Sequence, residues 1–379
     1  MSVINKKIGI IGGGQLGKMM ILEAKRMGFY VVTLDPDADC PSRSVSDELI
    51  VAALDDKAAY KRLAEKVDVI TYEWELISVA ALKKLEADGH IIYPSVNSLE
   101  IIQDKFMQKK ALREAGVPVP NFKKIHSFAD IGIGMLKTTK GGYDGKGTAL
   151  IRTEADIKAA YAALGGGAKE LMLEDFIDFE KEISVIACRA INGTNVIYPI
   201  AENIHCNSIL DTTVVPARID SETIEKATVV AEKVMEVFEG VGTFCVEMFV
   251  TEGGGIFVNE VAPRPHNSGH YTIEGCFANQ FENHIRAIVG LPFGSVELKQ
   301  PTVMVNLLGQ SNGKAELIGA EDAYRENPNI RIHLYGKPES KKARKMGHFT
   351  VIDETVEGAV ECAERAKEII KIVGITPQT

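Results

Sequence analysis

Short apolar runs alternate with amphipathic stretches over the first hundred residues. The runs KKIGII, FYVVTLD and VDVITY predict strands, as does a shorter run at 49–53, while amphipathic stretches ending near Met27 and spanning 56–66 predict helices. A glycine-rich turn, GGGQLG, joins the first strand to the first helix. This alternation predicts a parallel sheet covered by helices, an α/β domain of the Rossmann-like kind over residues 1–100.

The pattern changes near residue 95. The stretch SLEIIQDKFMQKKALREAG has helical spacing and predicts one helix that ends at Gly116. Beyond it, the strand-like runs ELMLEDFI, EISVIACRA and TFCVEMFV are separated by GGYDGKG, LGGG and TEGGG. We therefore expect an α+β domain over 101–298, with a flap subdomain at about 121–175.

The last eighty residues predict a small third domain, 299–379. The runs TVMVNLLG and HFTVIDE have the composition of strands, and a helical pattern extends from Thr355 to Val373. Between the strands lies a charged stretch at 337–345.

Composition narrows the class of protein. A net charge of −9 over 379 residues disfavours a protein whose surface binds nucleic acid or an anionic membrane. The six cysteines form no CxxC pair, so we expect neither disulfides nor zinc. No signal sequence or membrane-length apolar segment is visible, and we expect a cytoplasmic protein.

The first glycine-rich turn is a candidate phosphate site. Gly12, Gly14 and Gly17 satisfy GxGxxG between a strand and a helix, and Asp35 ends the second strand. This could be a dinucleotide site for a nicotinamide cofactor, a site for a single nucleotide phosphate, or a tight turn without a ligand. Glu73 and Glu75 lie at the carboxyl end of the strand VDVITY, where open parallel sheets place ligands; the alternative is a pair of solvated carboxylates.

A second glycine-rich segment, GMLKTTKGGYDGKGT at 134–148, is cationic. Its glycines make it too flexible for a core strand, and Lys137, Lys140 and Lys146 suit a mobile flap over polyphosphate. The alternative is a solvated hairpin tip. The spacing of a Walker loop is missing, so a P-loop fold is not supported.

Two glutamates are expected to face each other on a hairpin. TFCVEMFV and GIFVNEV flank TEGGG, and a four-residue loop at 252–255 would pair Thr251 with Ile256 and Glu247 with Glu260. Such a pair is repulsive unless a cation lies between the carboxylates, and their oxygens suit magnesium. A one-residue slip would instead place Asn259 opposite Glu247.

The segment APRPHNSGH follows the hairpin. Pro263 and Pro265 keep Arg264 extended, where its guanidinium could reach a phosphoryl group or a planar anion. His266 and His270 lie four residues apart without helical context, so polar substrate contacts or structural roles are more plausible than a metal site.

Together these motifs resemble the ATP-grasp enzymes, in which two α+β subdomains grip ATP and magnesium. Within that superfamily, GGGQLG, GGYDGKG, NEVAPRPHNSGH, HLYGK and ARKMGH are similar, in order and over the whole chain, to the N5-carboxyaminoimidazole ribonucleotide synthetase family. One departure is Thr148, where the family's pattern leads us to expect glutamine after GKG.

The resemblance implies a role for each candidate residue. The residues expected to bind ATP are Lys105, Lys137, the flap residues Tyr143, Asp144, Gly145, Lys146, Gly147, Thr148 and Ala149, the adenine segment Glu174, Asp175, Phe176 and Ile177, and Glu182, His205, Asn259 and Glu260. Those expected to hold magnesium, bound as two ions in the family, are Glu247 and Glu260. Those expected to bind the ribonucleotide are Gly14, Gln15, Leu16, Glu73, Tyr143, Asp144, Arg264, His266, Asn267, Lys337, Arg344 and Lys345. Those expected to take part in catalysis are Arg264, Asp144 and Lys137.

The implied reaction is ATP-dependent carboxylation of aminoimidazole ribonucleotide with bicarbonate, through carboxyphosphate, by a homodimer. Alternatives within the superfamily are a formate-using or glycine-using purine ligase and a biotin carboxylase. A nicotinamide-dependent oxidoreductase would use GGGQLG and Asp35 but leaves the flap and the glutamate pair unexplained. A nucleotide sensor without catalytic activity is the remaining alternative.

Overall fold

The computed structural model describes residues 5–142 and 145–375. Its strands are β1 (Lys7–Ile11), β2 (Tyr30–Asp35), β3 (Glu48–Val51), β4 (Val69–Tyr72), β5 (Phe122–Ile125), β6 (Gly134–Thr138), β7 (Thr148–Ile151), β8 (Leu171–Glu174), β9 (Lys181–Arg189), β10 (Asn195–Ile197), β11 (Ala201–Cys206), β12 (Ile209–Val215), β13 (Gly242–Val250), β14 (Ile256–Ala262), β15 (Thr302–Leu308), β16 (Gly313–Ile318), β17 (Arg331–Leu334), β18 (Glu339–Ser340), β19 (Lys345–Ile352) and β20 (Lys371–Ile375). Its helices are α1 (Gln15–Arg26), α2 (Lys57–Ala64), α3 (Val79–Ala87), α4 (Val96–Ile102), α5 (Lys105–Glu114), α6 (Ile157–Ala163), α7 (Ser221–Phe238), α8 (Thr272–Gly275), α9 (Gln280–Val289), α10 (Ala320–Glu326) and α11 (Val356–Ile369).

The N-terminal region is the expected α/β unit. Its parallel sheet has the strand order β3-β2-β1-β4, and α1 packs on one face against β2 and α9. The apolar residues of β1 and β4 are buried, as in a sheet covered on both faces, whereas those of the edge strand β3 are partly or fully exposed. The prediction of a Rossmann-like sheet is therefore confirmed, and the glycine-rich turn lies at the carboxyl end of β1.

The single helix expected up to Gly116 is wrong, because the chain forms two helices there. α4 ends at Ile102 and α5 begins at Lys105. The Asp104 side chain accepts hydrogen bonds from the amides of Phe106 (3.0 Å) and Met107 (3.2 Å). An aspartate in this position caps a new helix and so interrupts the preceding one.

The flap subdomain contains an antiparallel sheet with the order β5-β8-β6-β7. Here the expectation that 134–148 is too flexible for a core strand is wrong for its first part. Gly134–Thr138 forms β6, which lies between β8 and β7, and Leu136 is fully buried. Only the segment between β6 and β7 is glycine-rich loop, and the predicted site residues Tyr143 and Asp144 lie outside the described residues.

A nine-stranded sheet forms the centre of the molecule, with the order β14-β13-β9-β11-β12-β15-β19-β17 and β10 paired to β9. α7 covers one face of β9 and β13, and α9 covers the other. The sheet runs across residue 298, the boundary predicted between the second and third domains, because β12 pairs with β15 from Thr212–Val305 to Val215–Thr302.

The helix predicted to end at Val373 is shorter than expected. α11 ends at Ile369, and Lys371–Ile375 instead forms β20, which pairs with β16 in a small three-stranded sheet. The residues KIVGI alternate and contain β-branched side chains, which favour a strand once a partner strand is available. Over the ranges that the structure covers, no helix is both long and apolar enough to span a bilayer.

Candidate functional site

The carboxylate pair lies on the hairpin formed by β13 and β14. Near the turn, Val250 pairs with Ile256, so the predicted pairing of Thr251 with Ile256 is wrong by one residue. A bulge between Glu247 and Met248 corrects this slip, and Glu247 lies opposite Glu260. The extra residue of the bulge is Asn259. The register near the turn is therefore shifted by one residue, and the two glutamates still face each other. The bulge also lets the consecutive residues Asn259 and Glu260 lie at the site.

The two glutamates have different electrostatic environments. Burial and the nearby charge of Glu260 raise the pKa of Glu247 to about 7. Burial also raises the pKa of Glu260, but Lys105, with its Nζ 2.5 Å from Glu260 Oε1, outweighs this and leaves the pKa below its usual value. One carboxylate is therefore paired with a cation, and the other is left with an unfavourable charge that a bound cation would stabilise.

Lysines from the flap sheet and from α5 lie close together beside the glutamate pair. Lys137, on β6, lies 2.8 Å from Glu174 Oε2 and donates to Asn259 Oδ1 at 3.2 Å. Glu174 is 2% exposed, and its other oxygen lies 3.3 Å from Lys109 Nζ. Because its side chain is directed at lysines, Glu174 could contribute to an adenine site only through its backbone.

The predicted adenine and ribose residues line the cleft edge between the flap sheet and the central sheet. Asp175 and Phe176 are exposed just after β8, and Ile177 is partly buried. Glu182, at the start of β9, contacts His205 with 3.1 Å between Oε2 and Nδ1. Burial raises the pKa of Glu182, against the opposing effect of His205.

The glycine flap reaches the central sheet. Thr148 donates from Oγ1 to Gly145 O at 3.0 Å, and Ala149 pairs with Leu136 in the β6–β7 ladder. A Cβ at Gly145 would meet Ser208 Cβ at 2.5 Å, so the flap lies against the turn between β11 and β12. Lys146 and Gly147 belong to the flap turn between β6 and β7, and Gly147 has a φ of +89° that favours glycine.

The first glycine loop is partly occupied by carboxylates of the chain itself. Gly13 donates its amide to Asp35 Oδ2 at 2.6 Å, and Glu73 accepts from the amides of Gly14 and Gly17. Burial raises the pKa of Glu73. Three amides that would contact a pyrophosphate are therefore used internally, whereas Gln15 and Leu16, which begin α1, have no such carboxylate partner among these contacts.

Arg264 lies between the glycine loop and the carboxylate hairpin. Its Nη2 is 2.6 Å from Glu75 Oε1, and its buried Nε has no hydrogen-bond partner in the described structure. His266 lies on the other side, with Nε2 3.5 Å from Glu247 Oε1. Burial keeps the pKa of His266 well below its usual value, so the imidazole is neutral near pH 7.

Two residues of the segment after Arg264 are used for packing. Asn267 and Asn306 exchange amide hydrogen bonds of 3.0 and 2.8 Å, so the Asn267 side chain is committed to Asn306 and could contact substrate only through its backbone. His270 is fully buried, and its ring lies 4.6 Å from that of His348, which favours the structural role considered for it.

The basic stretch of the third region lies close to α1. Lys337 donates from Nζ to Lys345 O at 2.7 Å, and Arg344 donates to Glu339 O at 3.1 Å. Lys18, on α1, donates to the carbonyls of Leu334 and Tyr335, each at 3.3 Å. The helix that follows the glycine loop thus contacts the residues just before the basic stretch, which brings the two predicted phosphate-binding segments to the same side of the molecule.

Lys18 and Lys109 were not expected in the site, whereas Glu75 was expected there beside Glu73. Lys109 lies three residues before Leu112, which is fully buried, so the helical period places it on the inner face of α5 and could have revealed it. Glu75 follows Glu73 by two residues on the same edge. No comparable pattern marks Lys18.

Magnesium fits the glutamate pair in ligand type and charge. Both side chains supply oxygen, and burial together with the charge of Glu260 raises the pKa of Glu247, an unfavourable charge that a divalent ion would stabilise. Over residues 5–142 and 145–375, no group of three or more His, Cys, Asp and Glu side chains could hold a metal by itself. A magnesium ion here would need phosphate oxygens and water as further ligands.

Comparison with known proteins adds three matching family models. They are the ribonucleotide synthetase preATP-grasp domain at 5–103, the ATP-grasp domain at 110–281 and the phosphoribosylaminoimidazole carboxylase C-terminal domain at 302–361. Among curated relatives, the N5-carboxyaminoimidazole ribonucleotide synthase of Staphylococcus aureus strain COL is 42% identical over 92% of this chain and 93% of its own.

Solved structures show the same similarity. The crystal structure of N5-carboxyaminoimidazole ribonucleotide synthetase from Thermotoga maritima is 48% identical, with a TM-score of 0.90 over 98% of this chain and 100% of that one. The Aspergillus clavatus synthase, solved in complex with ADP and 5-aminoimidazole ribonucleotide, is 32% identical, with a TM-score of 0.88 over 97% of this chain and 99% of that one.

Proposed function

The chain belongs to the N5-carboxyaminoimidazole ribonucleotide synthetase family of ATP-grasp ligases, and we propose how its own residues carry out that family's reaction. The reaction is the ATP-dependent carboxylation of 5-aminoimidazole ribonucleotide with bicarbonate. The observation that carries our assignment of roles is the pairing of Glu247 with Glu260 beside Lys105 and Lys137.

In the first step, an oxygen of bicarbonate attacks the γ-phosphorus of ATP. The new P–O bond forms carboxyphosphate, and the bond to the ADP oxygen breaks. Lys105 and Lys137 hold the phosphate oxygens, and the flap at 145–149 covers them, so positioning and charge neutralisation replace a protein nucleophile. The adenine lies along 175–177, with Glu182 at the ribose hydroxyls.

Magnesium would be held by Glu247 and Glu260, which would direct phosphates toward the lysines. Asn259 lies beside this pair and accepts a hydrogen bond from Lys137. Bound there, the metal supplies positive charge to the phosphoryl oxygens. The raised pKa of Glu247 supports this, because its charge is costly until a cation is present.

In the second step, the exocyclic amine of the ribonucleotide attacks the carboxyl carbon. The C–N bond forms, the C–O bond to phosphate breaks, and the amine loses a proton. Arg264, between the two halves of the site, holds the planar anion, and the released phosphate accepts the proton. Exclusion of water by the flap protects carboxyphosphate from hydrolysis.

The ribonucleotide is expected to lie between α1 and the basic stretch. Gln15 and Leu16 at the start of α1, together with Lys337, Arg344 and Lys345, supply its 5′-phosphate with donors. The loop amides already bonded to Asp35 and Glu73 leave a dinucleotide less room, which supports a mononucleotide over a nicotinamide cofactor. Tyr143 and Asp144 remain predicted contacts of this substrate. A homodimer and a cytoplasmic location are part of the proposal.

Mass spectrometry tests the reaction. The protein is incubated with ATP, ¹³C-bicarbonate and aminoimidazole ribonucleotide, and we expect a labelled carboxylated product together with ADP. Glu260→Gln should form neither, although it should still fold. ADP formation that continues without bicarbonate when formate or glycine is supplied would refute the substrate assignment. Glu260→Gln with normal turnover would refute the assigned role of the carboxylate pair.

A further inference from the structure

Lys109 is a fully buried lysine that the proposed chemistry does not use. It lies on α5, one helical turn beyond Lys105, with 2% of its surface exposed. A buried ammonium group is unfavourable unless it is paired. Lys109 Nζ lies 3.3 Å from Glu174 Oε1 and donates to Val258 O at 3.2 Å.

These contacts join three separate parts of the site. Glu174 ends β8 of the flap sheet, Val258 lies on β14 immediately before Asn259, and α5 carries Lys105. Glu174 also lies 2.8 Å from Lys137 Nζ through its second oxygen, and Lys137 donates to Asn259. Lys109 is therefore the inner end of a buried series that leads through Glu174 to a lysine at the phosphate site.

We propose that Lys109 is a positioning residue that, through Glu174, fixes Lys137 for nucleotide phosphates. The inference rests on the proposed role of Lys137. Glu174 lies between two ammonium groups, and each limits how far the carboxylate can move toward the other. Without Lys109, the attraction of Glu174 acts on Lys137 alone and draws it away from Asn259 and from the phosphates.

The surroundings of Lys109 support this dependence. Burial lowers its pKa to about 7, although Glu174 opposes that effect, and Lys137 lowers the pKa further. The charged groups near it are Glu174 on β8, Lys137 on β6 and Glu260 on β14. Glu174 is the carboxylate in direct contact, so the two side chains should act as a unit.

The test compares Lys109→Met with the wild-type enzyme and with Lys110→Met. Methionine keeps much of the length and the apolar stem but removes the charge. Lys110 is the matched control, because it is exposed and lies 3.9 Å from Glu114 on the outer face of α5. We expect Lys109→Met to weaken ADP binding, measured by calorimetry, and to raise KM for ATP, each roughly tenfold. KM for the ribonucleotide should change less than about twofold, and Lys110→Met should match wild type.

A double-mutant cycle with Glu174→Gln separates positioning from packing. If Lys109 acts through Glu174, then Lys109→Met in the Glu174→Gln background should cause no further loss of ADP affinity. This comparison also decides the matter if Lys109→Met alone does not fold, because the double variant removes both buried charges of the Lys109–Glu174 pair and Lys137 keeps its hydrogen bond to Asn259. Unchanged ADP affinity in a folded Lys109→Met, or a further tenfold loss in the Glu174→Gln background, would overturn the proposal. Since ADP binding needs neither bicarbonate nor ribonucleotide, its result stands apart from any failure of the proposed carboxylation.

Discussion

The burial of Glu247 beside Glu260 predicts that the metal-free enzyme gains stability when Glu247 is replaced by glutamine. The folded protein raises the pKa of Glu247 from 4.5 to about 7 through burial and the charge of Glu260. For a carboxyl group, a raised pKa means that the folded state disfavours ionisation. The cost is absent below pH 4.5, grows between pH 4.5 and 7, and is complete above pH 7.

The size of the effect follows from the shift. An increase from 4.5 to about 7 corresponds to roughly 3 kcal/mol in the free energy of unfolding. Solvent reaches 28% of the Glu247 side chain and screens part of this, which leaves about 2 kcal/mol. With an unfolding entropy of about 2.1 cal/mol/K per residue, this corresponds to a rise of about 2 to 3 °C in Tm for 379 residues.

The assay is thermal unfolding in EDTA at pH 8 and at pH 5. Glu247→Gln should unfold about 2 to 3 °C above wild type at pH 8, with most of the difference lost at pH 5. Magnesium and ADP should remove the advantage, because the wild-type carboxylate then has a cation. Glu260→Gln is the control of opposite sign: it leaves Lys105 without its carboxylate and should lower Tm. A Glu247→Gln variant no more stable than wild type at pH 8 would refute the reasoning.

Three further predictions concern other parts of the molecule. Asp104→Ala removes the cap of α5, so it should lower the free energy of unfolding by about 1 kcal/mol and, by displacing Lys105, raise KM for ATP. Asp104→Asn should retain most of the stability and of the ATP affinity, and equal behaviour of the two variants would contradict the capping role. Lys337→Met should raise KM for the ribonucleotide severalfold in steady-state assays and leave KM for ATP unchanged, and the reverse pattern would place Lys337 at the nucleotide instead. Burial raises the pKa of the Cys40 thiol to about 11, so iodoacetamide at pH 8 should alkylate the exposed Cys206 first. Peptide mass spectrometry measures the labelling, and equal labelling of the two cysteines in the folded protein would show that Cys40 is accessible.

The fold was largely predictable where one rule determines the local structure. The strands of the N-terminal sheet follow from apolar runs, and the turn and helix after β1 follow from glycines and an amphipathic stretch. The break at Asp104 was missed because the helical period continues across it, although the aspartate itself marks a cap. The end of α11 was missed because 371–375 becomes a strand only by pairing with β16.

The site was predictable in its residue types more than in its contacts. Alternation placed Glu247 and Glu260 together, but the register near the turn differs and a bulge restores the pair, which no short-range pattern specifies. The commitment of Asn267 to Asn306 depends on contact between the turn after β14 and strand β15, which are far apart in sequence. Lys109 and Lys110 look alike in the sequence, yet one is buried beside Glu174 and the other is exposed.

In the central sheet, β12 pairs with β15, a strand from much later in the sequence. The outer edge of β12 is covered by β15, which begins at Thr302, beyond the predicted boundary at residue 298. A polypeptide that ended at 298 would present the backbone donors and acceptors of Ile209–Val215 to solvent and to other copies of itself. Residues 299–379 are therefore a structural completion of the sheet that the preceding residues begin, and we expect fragments without them to self-associate when they are expressed alone.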